Sequence, residues 1–213
     1  IHSDRLQFGI WLILGVHIIL IKLLIMRLIL TLALMMVVAF SAHAQEFPKL
    51  DKSSLDVAYF PNRITFRNFA KTDAEKNATA IARVIYSRPQ KNGRDIFGGL
   101  EEFGTVWRLG ANEAAEIEFY EDVNVGDTRV KAGRYTMYAL LGESEWEVYL
   151  STDLDVWGSY AYNEKHNVAS IKVPTQKTEA TVESFSMMFK EVEGGAHLMM
   201  AWDNTMVEVP IMW

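Results

Sequence analysis

No cysteine occurs anywhere in the 213 residues. That absence excludes disulfides, thiolate-ligated metals and a lipid-modified cysteine, so stability must come from the packed core alone. Histidine is nearly as scarce. Only His166 and His197 lie beyond residue 44, and neither has a second histidine at ligand spacing, so zinc lacks a donor set. His197 falls within an alternating stretch and reads as a packed or surface side chain rather than a base. The chain also lacks a G-x-S-x-G elbow, a phosphate-cradling glycine loop, an H-E-x-x-H pair and a dinucleotide fingerprint. Asp153 and Asp155 lie close in sequence but outside any twelve-residue calcium pattern. Neither metal nor cofactor is expected, and no catalytic residue is assigned. No repeat, low-complexity tract or linker divides the chain.

A long apolar run dominates the start. From Ile10 to Phe40 it is interrupted only by His17, Lys22, Arg27 and Thr31. Within it, Met26-Arg27 and the apolar stretch Leu28–Phe40 lead to Ala42-His43-Ala44, the layout of a secretory signal. Cleavage is expected between Ala44 and Gln45, which makes residues 26–44 a signal peptide. Residues 1–25 are read as upstream sequence that is not normally translated, because Met26 stands where a signal peptide would begin. The alternative is a membrane anchor, since about 20 apolar residues span a bilayer. In either case no other membrane contact is expected.

Residues 45–213 then form a single domain of 169 residues, large enough for a hydrophobic core. Removing Arg5, Lys22, Arg27 and Asp4 from 21 basic and 27 acidic residues leaves 18 and 26, a net charge of −8. Such a surface repels phosphate backbones and disfavours nucleic acid.

Alternation at period two governs the chain from Ala80 onward. Strands are expected over 81–86, 115–120, 134–141, 146–150, 168–173 and 181–189. A hairpin is expected at Val123–Val130 with Gly126-Asp127 at its turn. The last pair is predicted as His197–Trp202 and Thr205–Ile211, joined by an Asp203-Asn204 turn, with Pro210 marking an edge strand. Gln45–Phe60 reads as an extended arm, and Thr72–Thr79 as a loop or one helical turn. The predicted fold is all-β, an antiparallel sandwich or jelly-roll-like barrel behind an N-terminal hydrophobic signal segment.

One segment stands apart. Tyr86–Ala115 contains Arg88, Arg94 and Arg108, five glycines, Trp107 and Asn112-Glu113. Pro89 pushes Arg88 into an extended conformation. One reading is a pocket-lining loop: the arginines hold an anionic or hydroxyl-rich ligand, Trp107 offers a stacking face, and Asn112 and Glu113 orient it. The other pairs the arginines with Asp95, Glu101 and Glu113 and pins the loop over a sheet. A second cluster is Val156–Tyr162, where Trp157 and Tyr160 either stack on a ligand such as a sugar ring or seal an open end of the sandwich.

Several uncommon words in this order resemble the exported bacterial family known as domain of unknown function 2911. They are Tyr86-Ser87-Arg88-Pro89, Gly93-Arg94, Ile96-Phe97-Gly98, Val106-Trp107-Arg108 and Gly110-Ala111-Asn112-Glu113. Ala132-Gly133 with Tyr135, Trp157-Gly158 with Tyr160, and Ala201-Trp202 continue the series. The resemblance runs from about Leu55 onward and implies export and a β-rich domain, without an activity. Two departures are Leu100–Gly104 in place of a proline-containing turn, and Leu109 in place of threonine.

The leading functional expectation is a periplasmic or extracellular binding or accessory module for a small polar ligand, a saccharide or a carboxylate. Its expected contacts are Arg88, Arg94, Trp107, Arg108, Asn112, Glu113, Trp157 and Tyr160. The alternatives are a structural or interaction protein of the cell envelope and, ranked third, a carboxylate-based hydrolase using Glu113.

Overall fold

The computed structural model describes the backbone of residues 2–40 and 46–213, with side chains for 14–35 and 46–213. The chain divides into two compact units, Ile1–Lys49 and Leu50–Trp213. The first holds one helix, α1 (His2–Phe40), whose Leu14–Met35 stretch is long and apolar enough to cross a membrane. The expected cleavage point after Ala44 lies outside the described residues.

The second unit is an all-β sandwich of two antiparallel sheets. Its strands are β1 (Leu55–Phe60), β2 (Ala82–Ser87), β3 (Val106–Trp107), β4 (Glu116–Phe119), β5 (Val123–Val125) and β6 (Thr128–Val130). Then follow β7 (Gly133–Leu141), β8 (Glu145–Ser151), β9 (Asn167–Pro174), β10 (Gln176–Val192) and β11 (Gly195–Met212). The larger sheet runs β1-β2-β4-β7-β8-β9, with β3 pairing on β7 beyond the end of β4; the smaller runs β10-β11-β5-β6. A single turn of helix, α2 (Asp73–Lys76), starts at a capping box in which Thr72 and Glu75 bond each other's backbone.

Alternation decides which side chains meet between the sheets. On β7, Tyr135, Met137, Ala139 and Leu141 face inward, while Thr136 and Tyr138 face out. Opposite them stand Phe185, Met187, Phe189, Leu198, Met200 and Trp202. The core cluster of described residues falls between Phe60 and Ile211, within this unit. Burying this many large apolar side chains, at about 1.5–3 kcal/mol each, is what offsets the chain entropy in a protein without disulfides.

Three local expectations need correction. The segment expected as an arm contains β1, because Leu55–Phe60 pairs residue for residue with β2. Asp203-Asn204 is no turn: β11 runs straight through it, and Asp203, at φ 55°, sits at a register shift opposite Val182. Such a bulge absorbs one extra residue without ending the pairing. Nor is β11 an edge strand. It lies between β10 and β5, and Pro210 is tolerated because the β10 pairing has already ended at Met206.

Candidate functional site

Seven of the eight residues singled out above fall into three separate groups, and the eighth, Trp107, lies in the core. Arg88 leaves the end of β2 and reaches the other sheet. Its Nε donates to the Phe185 carbonyl at 3.2 Å, one terminal nitrogen to Ser186 Oγ at 2.8 Å, and the other to Asp56 Oδ2 at 3.0 Å. A guanidinium with its donors so committed is a clamp between β1 and β10. None of the carboxylates suggested by the sequence takes part.

Arg94 and Arg108 form the second group, with Glu101 beside them. Arg94 donates to the carbonyls of Lys91 at 2.9 Å and Gln90 at 2.5 Å, bracing its own turn. Arg108 has its Nε buried with no partner among the described residues. Neither guanidinium makes a direct ion pair with Glu101, yet both lie close enough to act on its charge. Burial dominates and pushes the Glu101 carboxyl up to about 7, against the opposing pull of Arg108 and then Arg94.

Trp107 belongs to the core. It is 2 % exposed and packs near Phe97, Trp146, Phe185 and Trp202, donating its indole N–H to the Gly110 carbonyl at 3.2 Å. No ring face is left for a ligand. Leu109 is fully buried in the αL region, at φ 55°. Ser87 closes the same loop from below, since its Oγ bonds both the carbonyl and the amide of Ala111 at 2.6 Å. A Cβ at Gly110 would stand 2.7 Å from that hydroxyl. Only glycine fits there.

The third group is assembled on the outer face of the larger sheet. Residues 152–166 fold back from β8 across β7, covering Thr136 and Tyr138. Their backbone is held at successive points. Thr136 Oγ1 donates to the Asp153 carbonyl, and the Asp155 amide donates to Glu116 Oε1 at 2.9 Å. The Ala114 amide donates to the Val156 carbonyl at 3.1 Å, and the Gly158 amide to the Asn112 carbonyl at 2.9 Å. Arg134 adds charge-assisted bonds to Glu116 and Asp155 at 2.5 and 2.8 Å.

This framework places Asn112 and Glu113 next to Trp157, with Glu113 and Trp157 forming an isolated bridge. Two roles then separate along the loop. Tyr162 caps the sheet, edge-on to Tyr138 and stacked on Tyr149, with its hydroxyl accepting from Asn167. Trp157 and Tyr160 instead point outward, 61 % and 86 % exposed. The same loop borders a cleft of about 560 Å³ lined by Glu147, Tyr149, Tyr162, Glu164 and Asn167. Burial, then the Glu147 carboxylate, pushes the Tyr149 hydroxyl up to about 12, so it remains a hydrogen-bond donor at any physiological pH.

Sequence reasoning missed the Arg134–Glu116–Asp155 network that carries this loop. Its only visible trace was the odd spacing of Asp153 and Asp155. Among the described residues, no group of three or more histidines and carboxylates is placed to hold a metal ion.

A model of the family described as "Protein of unknown function (DUF2911)" matches residues 69–211, and the chain belongs to that family. No curated protein and no solved structure matches it.

Proposed function

We propose that this DUF2911 member is an exported, non-catalytic binding module for a saccharide, with Trp157 and Tyr160 as stacking faces. Asn112, Glu113 and Asp155 supply hydrogen-bonding groups at their margins. The observation that carries this reading is a contrast: the backbone of residues 153–158 is pinned at four points, yet the Trp157 ring within it and the Tyr160 ring just beyond it are left in water. Rings with one apolar face and an electron-rich π surface suit the C–H faces of a sugar. A loop already ordered loses little entropy on binding.

Two further points favour a neutral saccharide over a carboxylate. Arg88 is committed to Asp56, Ser186 and Phe185, and Arg94 to backbone carbonyls, so neither is free to fork onto an anion. The hydrogen-bonding groups around the rings are largely carboxylates and amides, which accept from and donate to hydroxyls without demanding charge. Export is supported by the apolar Leu14–Met35 stretch, compatible with a signal or an anchor.

Affinity electrophoresis through gels carrying a panel of soluble polysaccharides tests the proposal. At least one polysaccharide should retard the wild type, and Trp157→Ala and Tyr160→Ala should each weaken retardation. A stacking contact of about 0.5–1.5 kcal/mol beyond burial corresponds to a loss of roughly two- to tenfold per ring. Retardation that survives both substitutions, or no retardation by any member of the panel, overturns the reading.

A further inference from the structure

We infer that the β1–β2 connection is a docking surface for a bilayer bearing anionic headgroups. It lies outside the saccharide site and is independent of it. The connection contains a 3-10 helix over Ile64–Phe69. With three residues per turn, side chains three apart lie in one row, so Arg63, Phe66 and Phe69 share a ridge. Ile64 in the neighbouring row is buried and anchors the turn to the domain. Phe66 and Phe69 therefore stand out into water, 55 % and 84 % exposed, with nothing of this domain over them. The Arg63 guanidinium lies 5.4 Å from the Phe66 ring centre, the stem-and-ring arrangement of an interfacial anchor.

Charge identifies the occupant. From Arg63 to Lys71 the chain carries Arg63, Arg67 and Lys71 and no acidic residue, in a protein of net charge −6. None of the three has a carboxylate partner among the described residues, whereas Arg83, Arg88, Lys91, Arg129, Lys131 and Arg134 all do. Of the nearest acids downstream, Asp73 is offset by a cation and Glu75 keeps its charge. Glu75 bonds Thr72, and Asp73 pairs with Lys76. Arg63, Phe66, Arg67, Phe69 and Lys71 border an open hollow of about 380 Å³, with Glu75 as the one acid on its lining. An acidic domain meets an anionic membrane with least repulsion through a patch of unpaired cations such as this one. Two exposed phenylalanines between such cations match the apolar depth and charged rim of a headgroup layer.

The β domain, residues 46–213, is suited to the test because the core cluster lies within it. It is mixed with vesicles of phosphatidylcholine alone and of phosphatidylcholine with an equal part of phosphatidylglycerol, and bound protein is read by flotation. The domain should float with the anionic vesicles only, and less as salt is raised. The triple variant Arg63→Gln, Arg67→Gln, Lys71→Gln should partition about a hundredfold more weakly, with about a fifth retained per cation. The pair Phe66→Ser, Phe69→Ser should also lose binding. Circular dichroism melts confirm that both variants remain folded, because every altered side chain is exposed. Equal binding to neutral vesicles, no binding to either, or folded variants that float like the wild type overturns the inference. So does concentration-dependent self-association that the phenylalanine pair abolishes without any vesicle binding, which would make the patch a contact between copies. A shift in melting temperature by inorganic phosphate equal to that by anionic vesicles would assign it to a soluble anion and likewise overturn it.

Discussion

The amide of Gly158 donates to the carbonyl of Asn112 at 2.9 Å, and both residues lie in the αL region, at φ 69° and 63°. Two loops distant in sequence are thereby locked with their side chains turned outward. A Cβ at Gly158 would also stand 2.7 Å from the edge of the Tyr160 ring. Gly158→Ala should therefore cost about 1–2 kcal/mol from backbone conformation alone. It should also displace Tyr160. Urea denaturation reads the first effect, and weakened polysaccharide retardation with Trp157 intact reads the second.

Trp107 and Trp157 should respond oppositely to truncation. Trp107 is buried among four other aromatic rings, so Trp107→Ala should cost about 3–5 kcal/mol. Trp157 packs little surface, and Trp157→Ala should change stability by no more than about 0.5 kcal/mol. Denaturation midpoints at unchanged slope would separate the two.

At Arg88 the hydrogen bonds to the second sheet should outweigh the ion pair. The side chains of Arg88 and Asp56 are 40 % and 41 % exposed, so their attraction is screened by solvent. Asp56→Asn should cost less than about 1 kcal/mol. Arg88→Lys should cost more, about 1–2 kcal/mol, because an ammonium cannot reach Phe185 O, Ser186 Oγ and Asp56 together. Thermal melts of the two variants decide the order.

Glu101 should make the domain less stable as pH rises. Its folded carboxyl is pushed up to about 7 from an ordinary value of 4.5. Between those values the folded state holds a proton that the unfolded state has released. Stability tied to this group is thus complete below about pH 4.5 and lost by about pH 7. Glu101→Gln should remove that slope and raise stability at pH 8 by about 1–2 kcal/mol, once solvent screening at a partly covered group is allowed for. Chemical denaturation at pH 5 and pH 8 would show it; an unchanged pH slope in Glu101→Gln would refute the assignment.

The strands from β4 to β9 were legible because alternation and turn residues agree there. The Val123–Val130 hairpin lies where Gly126-Asp127 places it. Asp203-Asn204 misled because a turn pair and a bulge pair draw on the same residues, and only continued pairing with β10 tells them apart. β3 escaped notice because two residues carry no period. Arg88, Arg94 and Arg108 looked like one cluster because they crowd the sequence. Guanidiniums sit at the end of long stems, however: Arg88 and Arg94 took the partners that a strand end or turn put within reach, while Arg108 Nε found none among the described residues.

Composition and periodicity alone settled that this chain has a disulfide-free β domain of acidic character behind an apolar N-terminal segment. Both are sums over residues and survive any detail of packing. The fate of individual rings was not of that kind. Whether a tryptophan is core or platform depends on which face of which strand it meets, and local sequence reads the same for Trp107 and Trp157. That distinction arose only when residues 152–166 folded across β7, burying Tyr162 against Tyr138 and leaving Trp157 and Tyr160 in solvent.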